Sequence, residues 1–248
     1  MDTSDLKSLI IHLEDITFAY PGNSHNTIDH LDLKLCQGDR MGIVAPNGCG
    51  KTTLFSIIMG LQSPDSGKIE IFGKPVCTEK DFTMVRRKIG LLFQDSDDQL
   101  FSPTVIEDVA FGPLNLGYSP SEAKDISMTT LDKLGLSDYA NRITHKLSGG
   151  EKRMVALATV LAMQPEVLLL DEPKTGLDEK TKARLIQVLT QLDLSYIVIS
   201  HENDFLYDTT NIIYTMENGK MFPGERIHRH QHEHPHSHSH HIKFVDEN

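Results

Sequence analysis

The chain has 248 residues, three cysteines, and 35 acidic against 24 basic side chains, giving a formal net charge of −11. That length suits one large α/β domain with room for an inserted subdomain, and the acidic balance argues against a nucleic-acid footprint, which needs a basic face. The longest apolar stretch, residues 155–163, is too short to span a bilayer, and residues 1–5 lack a basic, apolar leader, so a soluble, cytoplasmic protein is expected. Cys36, Cys49 and Cys77 form neither a disulfide framework nor a C-x-x-C pair, which fits a reducing compartment.

Residues 9–13 and the alternating 31–35 read as strands of an antiparallel layer, separated by a turn-rich piece at 21–24. Tyr20 closes the segment 15–20, where an exposed aromatic face can stack on a purine base or serve as an ordinary strand-end aromatic. The apolar run 41–44 then leads into Ala45-Pro46-Asn47-Gly48-Cys49-Gly50-Lys51-Thr52-Thr53 and the apolar segment 54–59, a strand, glycine loop and helix. Such a loop wraps phosphates: the backbone at Asn47, Gly48, Cys49, Gly50 and Thr53 approaches closely, the helix N-terminus favours negative charge, Lys51 neutralises the outer phosphates, and the Thr52 hydroxyl is placed for Mg²⁺. One position departs from G-x-x-x-x-G-K-[ST], because Ala45 stands where glycine is usual, and its methyl group must be accommodated. The helix start and Lys51 can lower the pKa of Cys49 and make it oxidation-sensitive, although most cysteines so placed simply fill space.

A turn at 63–67, a short strand at 68–72 and a buried-type strand at 89–93 follow, the last ending at Gln94, whose amide can reach Mg²⁺ or an attacking water. Asp95, Asp97 and Asp98 read as a charged loop rather than a metal site. From about 102 to 163, Pro103, Pro113 and Pro120 punctuate helical segments, including 121–134 before Gly135, so an inserted helical subdomain is expected. Ser148-Gly149-Gly150-Glu151 opens the helix 152–163, either as a second anion-binding helix start or as a plain N-cap. The apolar strand 167–170 ends in Asp171 and Glu172: the first can hold Mg²⁺ through water, and the second, pointing to the opposite face, can act on water near a γ-phosphate. A turn at 174–178, a helix at 179–192 and a strand at 195–200 lead to His201, a γ-phosphate sensor candidate at another strand's carboxyl end.

Residues 227–248 form a separate tail, expected to be disordered without metal. His228, His230, His232, His234, His236, His238, His240 and His241 alternate with polar residues, and imidazoles so spaced can converge on Ni²⁺ or Co²⁺. The Gln, Glu, Pro and Ser interruptions and the continuation at 242–245 argue against an expression tag.

In this order, the phosphate loop, Gln94, Leu147-Ser148-Gly149-Gly150-Glu151, Leu170-Asp171-Glu172 and His201 resemble the ABC-type ATPases over residues 1–226. The resemblance implies a P-loop NTPase fold of α/β class with a RecA-like core, an antiparallel β layer and an inserted helical subdomain, using ATP and Mg²⁺. It also implies roles: Tyr20 stacks on adenine, Gln94 couples Mg²⁺ to a transporter contact, Glu172 polarises water, His201 senses the γ-phosphate, and Asp178 crosses a head-to-tail interface. Ser148, Gly149 and Gly150 would complete the ATP site of a second ATPase subunit. Residues 93–101 and 109–113 are similar to the ATPases of energy-coupling-factor importers, the cobalt/nickel (CbiO-like) branch above all, which implies a membrane-embedded coupling subunit, a metal-binding membrane subunit and a place on the cytoplasmic face of the cell membrane. Met154, where arginine is common, and Lys174-Thr175, where Thr-Ala or Ser-Ala is usual, depart from the family pattern. Two other functions compete: a P-loop nickel chaperone or storage NTPase, disfavoured by the absence of an Asn-Lys-x-Asp guanine reader, and a soluble, non-transport ABC ATPase, disfavoured by the acidic charge and the absence of long heptad repeats.

Overall fold

A computed structural model describes residues 8–226; the histidine tail, with the metal site expected there, lies outside the described residues. Strands β1 (Leu9–Phe18), β2 (Ile28–Cys36), β4 (Ser66–Ile71) and β5 (Lys74–Pro75) make a four-stranded sheet in the order β2-β1-β4-β5, antiparallel throughout. β1 runs further than its first apolar stretch because Asp15 takes a left-handed φ of 52°, a bulge that shifts the register with β2 and carries the strand on to Phe18.

The second sheet contains β3 (Arg40–Val44), β6 (Ile89–Leu92), β7 (Val167–Asp171), β8 (Ser195–Ile199), β9 (Ile212–Glu217) and β10 (Lys220–Arg226), in the order β10-β9-β3-β8-β7-β6. All its pairings are parallel except the β9–β10 hairpin at one edge. Parallel strands are covered on both faces, so their runs are apolar throughout and alternate residues feed different cores. Val167, Leu169, Ile197 and Ile199 join one apolar cluster with α1 (Lys51–Ile58) and the antiparallel sheet. Leu168, Leu170, Tyr196 and Val198 join another with α3 (Val105–Leu116), α4 (Pro120–Lys133), α5 (Gly149–Ala162) and α6 (Glu179–Gln191).

Helices α3 to α5 pack on one another and share that second cluster with the sheet. α5 opens at Gly149, three residues before the expected start, because Ser148 and Glu151 form a reciprocal capping box around both glycines. Four elements carry no expectation from sequence: α2 (Glu79–Lys88), α7 (Asn203–Thr209), β9 and β10. Among the described residues, no helix is long and apolar enough to cross a membrane.

Candidate nucleotide site

β3 delivers the chain into the glycine loop at the carboxyl edge of the parallel sheet. Gly50 has φ 104°, and an added Cβ there would lie 2.7 Å from the Thr27 carbonyl oxygen and 2.9 Å from Ile28 Cδ1, so only glycine fits. α1 then starts with no side-chain cap and no acid in its first turn, whereas α2, α4 and α5 each carry a capping box with an acid in the first turn. The first-turn N–H groups of α1 therefore meet no built-in counter-charge, the arrangement that favours an anion. Ala45 is packed into the core, so its methyl group is accommodated.

Lys51 is only 8% exposed; its Nζ donates to the Ala45 carbonyl at 3.4 Å, to Asn47 Oδ1 at 3.2 Å and to Glu172 Oε1 at 3.1 Å. Tyr20, 39% exposed, stands beside the loop with its hydroxyl 3.1 Å from Thr53 Oγ1 and its ring edge-on to Phe18. Of the two readings of Cys49, the structure supports the space-filling one: the side chain belongs to the core cluster, and burial raises its pKa by more than Lys51 lowers it.

Strand parity explains Asp171. Asp171 follows Val167 and Leu169 toward α1, where Thr52 Oγ1 donates to Asp171 Oδ2 at 3.1 Å. Asp171 Oδ1 is buried without a hydrogen-bond partner, the one such side-chain atom among the described residues. Burial raises the Asp171 pKa, opposed by the Thr52 hydrogen bond and by Lys51. A hydroxyl beside an under-satisfied buried carboxylate is a hard oxygen set that fits Mg²⁺.

Glu172 does not continue the strand. Its φ of 46° is left-handed and uncommon for a side chain of this size, a strain of the kind found at active sites. At 2% exposure, its carboxylate lies between Lys51 on Oε1 and His201 Nδ1, 3.0 Å from Oε2. Arg153, which sequence reading passed over in favour of noting Met154, is buried and donates to the carbonyls of Phe93, Gln94 and Glu172. An arginine on the apolar face of a helix is the signal that could have found it. Gln94 is held by its backbone in this way; its side chain is exposed and makes no hydrogen bond to Thr52 or Asp171. Gln99 and Asp108 were likewise missed. The Gln99 amide ties Phe93, Leu91 and Thr159, and Asp108 accepts from the backbone of Phe101 and Ser102 and from the Thr144 hydroxyl. Asp97 pairs with Lys152 at 2.6 Å and Asp95 caps the turn at 96–98, so the acidic cluster is a structured charged loop.

The remaining predicted residues lie elsewhere. Ser148, Gly150 and Asp178 line a separate cleft of about 600 Å³ between α5 and the start of α6. Ser148 and Gly149 are exposed, and Asp178 caps α6 by accepting from the Thr181 N–H at 3.0 Å, which holds its carboxyl below its ordinary range. Among the described residues, no hydrogen bond joins residues 148–150 to residues 45–53.

The ABC transporter family profile matches residues 28–175. The chain belongs to the ABC transporter family. It is 50% identical over 210 residues to a putative ABC transporter ATP-binding protein of Nitratidesulfovibrio vulgaris, covering 85% of this chain and 77% of that protein. It is 40% identical over 216 residues to the energy-coupling factor transporter ATP-binding protein EcfA of Methanothermobacter thermautotrophicus, covering 86% of this chain and 69% of that one. Among solved structures, cbiO1 of Clostridium perfringens, described as part of the ABC transporter complex cbiONQ, superposes with a TM-score of 0.78 at 31% identity, covering 87% and 88% of the two chains. The ATP-binding cassette MJ0796, dimeric in a post-hydrolysis state with ADP and Pi, superposes with a TM-score of 0.81 at 26% identity over 89% of this chain and all of that one. This ABC chain is an ATPase, the ATP-binding subunit of a transporter.

Proposed function

We propose that this chain powers an energy-coupling-factor importer of a transition-metal ion, cobalt or nickel. In this reading, two ATPase subunits sit on the cytoplasmic face of the cell membrane beneath a coupling subunit and a metal-capturing subunit. The EcfA and cbiO1 relatives support the transporter class, and the histidine-rich residues 228–241, as a carrier of Ni²⁺ or Co²⁺, favour the cargo. The observation that carries the paired arrangement is the division of the site: hydrogen bonds join Lys51 and His201 to Glu172 and Thr52 to Asp171, while Ser148, Gly150 and Asp178 line a separate cleft.

The residues then divide the work. Tyr20 stacks on adenine, and the backbone N–H groups of residues 47–53 hold the phosphates. Lys51 exchanges the Glu172 carboxylate for a phosphate oxygen, which releases Glu172 to orient water and take its proton as the water attacks the γ-phosphorus and the bond to ADP breaks. Thr52 and Asp171, with Gln94, would hold Mg²⁺, which when bound neutralises the β- and γ-phosphate oxygens. His201 steadies the far side of Glu172 and meets the γ-phosphate. Ser148 and Gly150 of the partner subunit close over the phosphate, with Asp178 of the partner subunit at the seam. In the unpaired chain Lys51 and His201 both engage Glu172, so the base is held back until nucleotide arrives.

The test is uptake of radiolabelled nickel or cobalt by vesicles containing the chain with its membrane partners. Uptake that requires ATP and is lost in Glu172→Gln supports the proposal; ATP-driven uptake of an organic vitamin with none of either metal overturns the cargo.

A further inference from the structure

The mechanism leaves the buried charge of Lys174 unused. Lys174 is 5% exposed, although a lysine is rarely so deep without a partner. It lies in the turn after β7, two residues beyond Glu172, and its Nζ pairs with the Glu202 carboxylate while standing 5.1 Å from the centre of the Phe205 ring. Glu202 is the residue after His201, and its backbone N–H donates to Ser200 Oγ at 3.2 Å. Phe205 is fully enclosed on α7. Two parallel rungs therefore join the segment after β7 to the segment after β8: Glu172 to His201, and Lys174 to Glu202. Backbone bonds make the first segment stiff, because Glu172 N–H donates to the Ile199 carbonyl at 3.0 Å, Thr175 N–H to the Glu172 carbonyl at 3.2 Å and Leu177 N–H to the Lys174 carbonyl at 3.2 Å.

We propose that Lys174 and Glu202 are positioning residues for ATP hydrolysis: their ion pair clamps the turn that carries Glu172 against the segment that carries His201. The inference rests on the proposed role of Glu172 as the group that orients water. Glu172 is held at a left-handed φ of 46°, a conformation that relaxes unless its surroundings fix it. The Glu172–His201 contact alone fixes the carboxylate from one side. The second rung fixes the backbone turn, and the ring beneath Lys174 Nζ limits where that ammonium can move. A shift of about 1 Å at a positioned group is enough to cost about a hundredfold in rate.

The experiment measures steady-state ATP hydrolysis against MgATP concentration for the full chain and for Lys174→Met, Lys174→Arg, Glu202→Gln, Lys174→Met/Glu202→Gln and Glu172→Gln, with a thermal melt of each. The clamp predicts that Lys174→Met and Glu202→Gln each lower kcat about tenfold with KM within about twofold, that Lys174→Arg restores most of kcat, and that the double variant is no worse than the poorer single one. Wild-type kcat in both single variants overturns the clamp, as does a multiplicative double variant. A kcat loss in Lys174→Arg that matches Lys174→Met also overturns it, since packing alone would then explain the position. If Lys174→Met does not fold, Glu202→Gln and Lys174→Arg carry the same decision. Glu172→Gln separates the two readings: wild-type turnover in that variant removes the role on which the clamp rests, whereas lost turnover there with normal Lys174→Met removes the clamp alone.

Discussion

The helix starts at Lys51 and at Gly149 both follow a glycine-rich stretch, yet they are built in opposite ways. α1 begins uncapped, with no acid in its first turn and a buried lysine aimed back over the loop. α5 begins with its own serine and glutamate in a capping box, and the Ser148 backbone pulls the Glu151 carboxyl below its ordinary range. The first start has donors left over for an anion; the second is already satisfied and faces solvent at Ser148 and Gly149. In the reading proposed above, the first is the nucleotide site of its own chain. In that reading the other is a surface that a second subunit meets, its Ser148 side chain already engaged with Glu151 in the cap.

The broadest expected effect, falling on binding, turnover and stability at once, comes from removing the cation of the first start. Lys51→Ala should abolish measurable MgATP binding and lower turnover by about 10²–10³-fold, checked by calorimetry and phosphate release. The same change removes one partner of a buried pair with Glu172, which costs about 3–5 kcal/mol of stability, so its melting temperature should fall as well. Next is Glu172→Gln, which should keep ATP bound while turnover falls by about 10²–10⁴-fold; unchanged turnover would remove Glu172 from the chemistry.

Asp171→Asn sharpens the contrast by acting in opposite directions on fold and function. The folded pKa of Asp171 is raised above its ordinary 3.8, so its contribution to stability is fullest below that value and is lost as pH rises through the folded pKa. At neutral pH the buried, half-satisfied carboxylate is a burden on the nucleotide-free chain. The asparagine variant should therefore melt about 2–4 °C higher without nucleotide, the shift that about 1 kcal/mol produces in a chain of this size, and should gain less than the wild-type chain from added Mg²⁺ and ATP. A lower melting point would contradict this account of Asp171. The smallest effect belongs to the second start: Ser148→Ala removes a side-chain cap worth about 1 kcal/mol and should lower the melting temperature by a few degrees, leaving ATP binding by the isolated chain unchanged.

The same contrast shows what could be read from sequence. Lys51, Thr52 and Asp171 were legible because a short loop and strand parity fix where their side chains go: Asp171 shares the α1 face with Val167 and Leu169. Glu172 reaches Lys51 and His201 for a reason that strand parity does not give, since the chain leaves strand geometry at φ 46° instead of continuing to the opposite face. Ser148 was ambiguous between anion site and cap, and the capping box settles its local state. Arg153 and Lys174 were illegible as site residues because their meaning depends on backbone carbonyls and carboxylates brought from distant segments. Cys49 was open between a reactive thiol and a space-filler, and burial in the core, which outweighs the nearby Lys51, makes it the second. Helices α2 and α7 are short, and α2 buries only Phe82 and Val85, which leaves little periodic signal.

The central claim is that ATP held at the Lys51 start draws in the Ser148 start of a second subunit. Light scattering of the Glu172→Gln chain with and without MgATP, alone and combined with Ser148→Arg, tests it most directly. The account predicts a monomer that becomes a dimer on adding MgATP in Glu172→Gln, and a chain that still binds ATP but stays monomeric when Ser148→Arg is added. A dimer that forms equally well with Ser148→Arg, or a mass that does not change with nucleotide in Glu172→Gln, would contradict it.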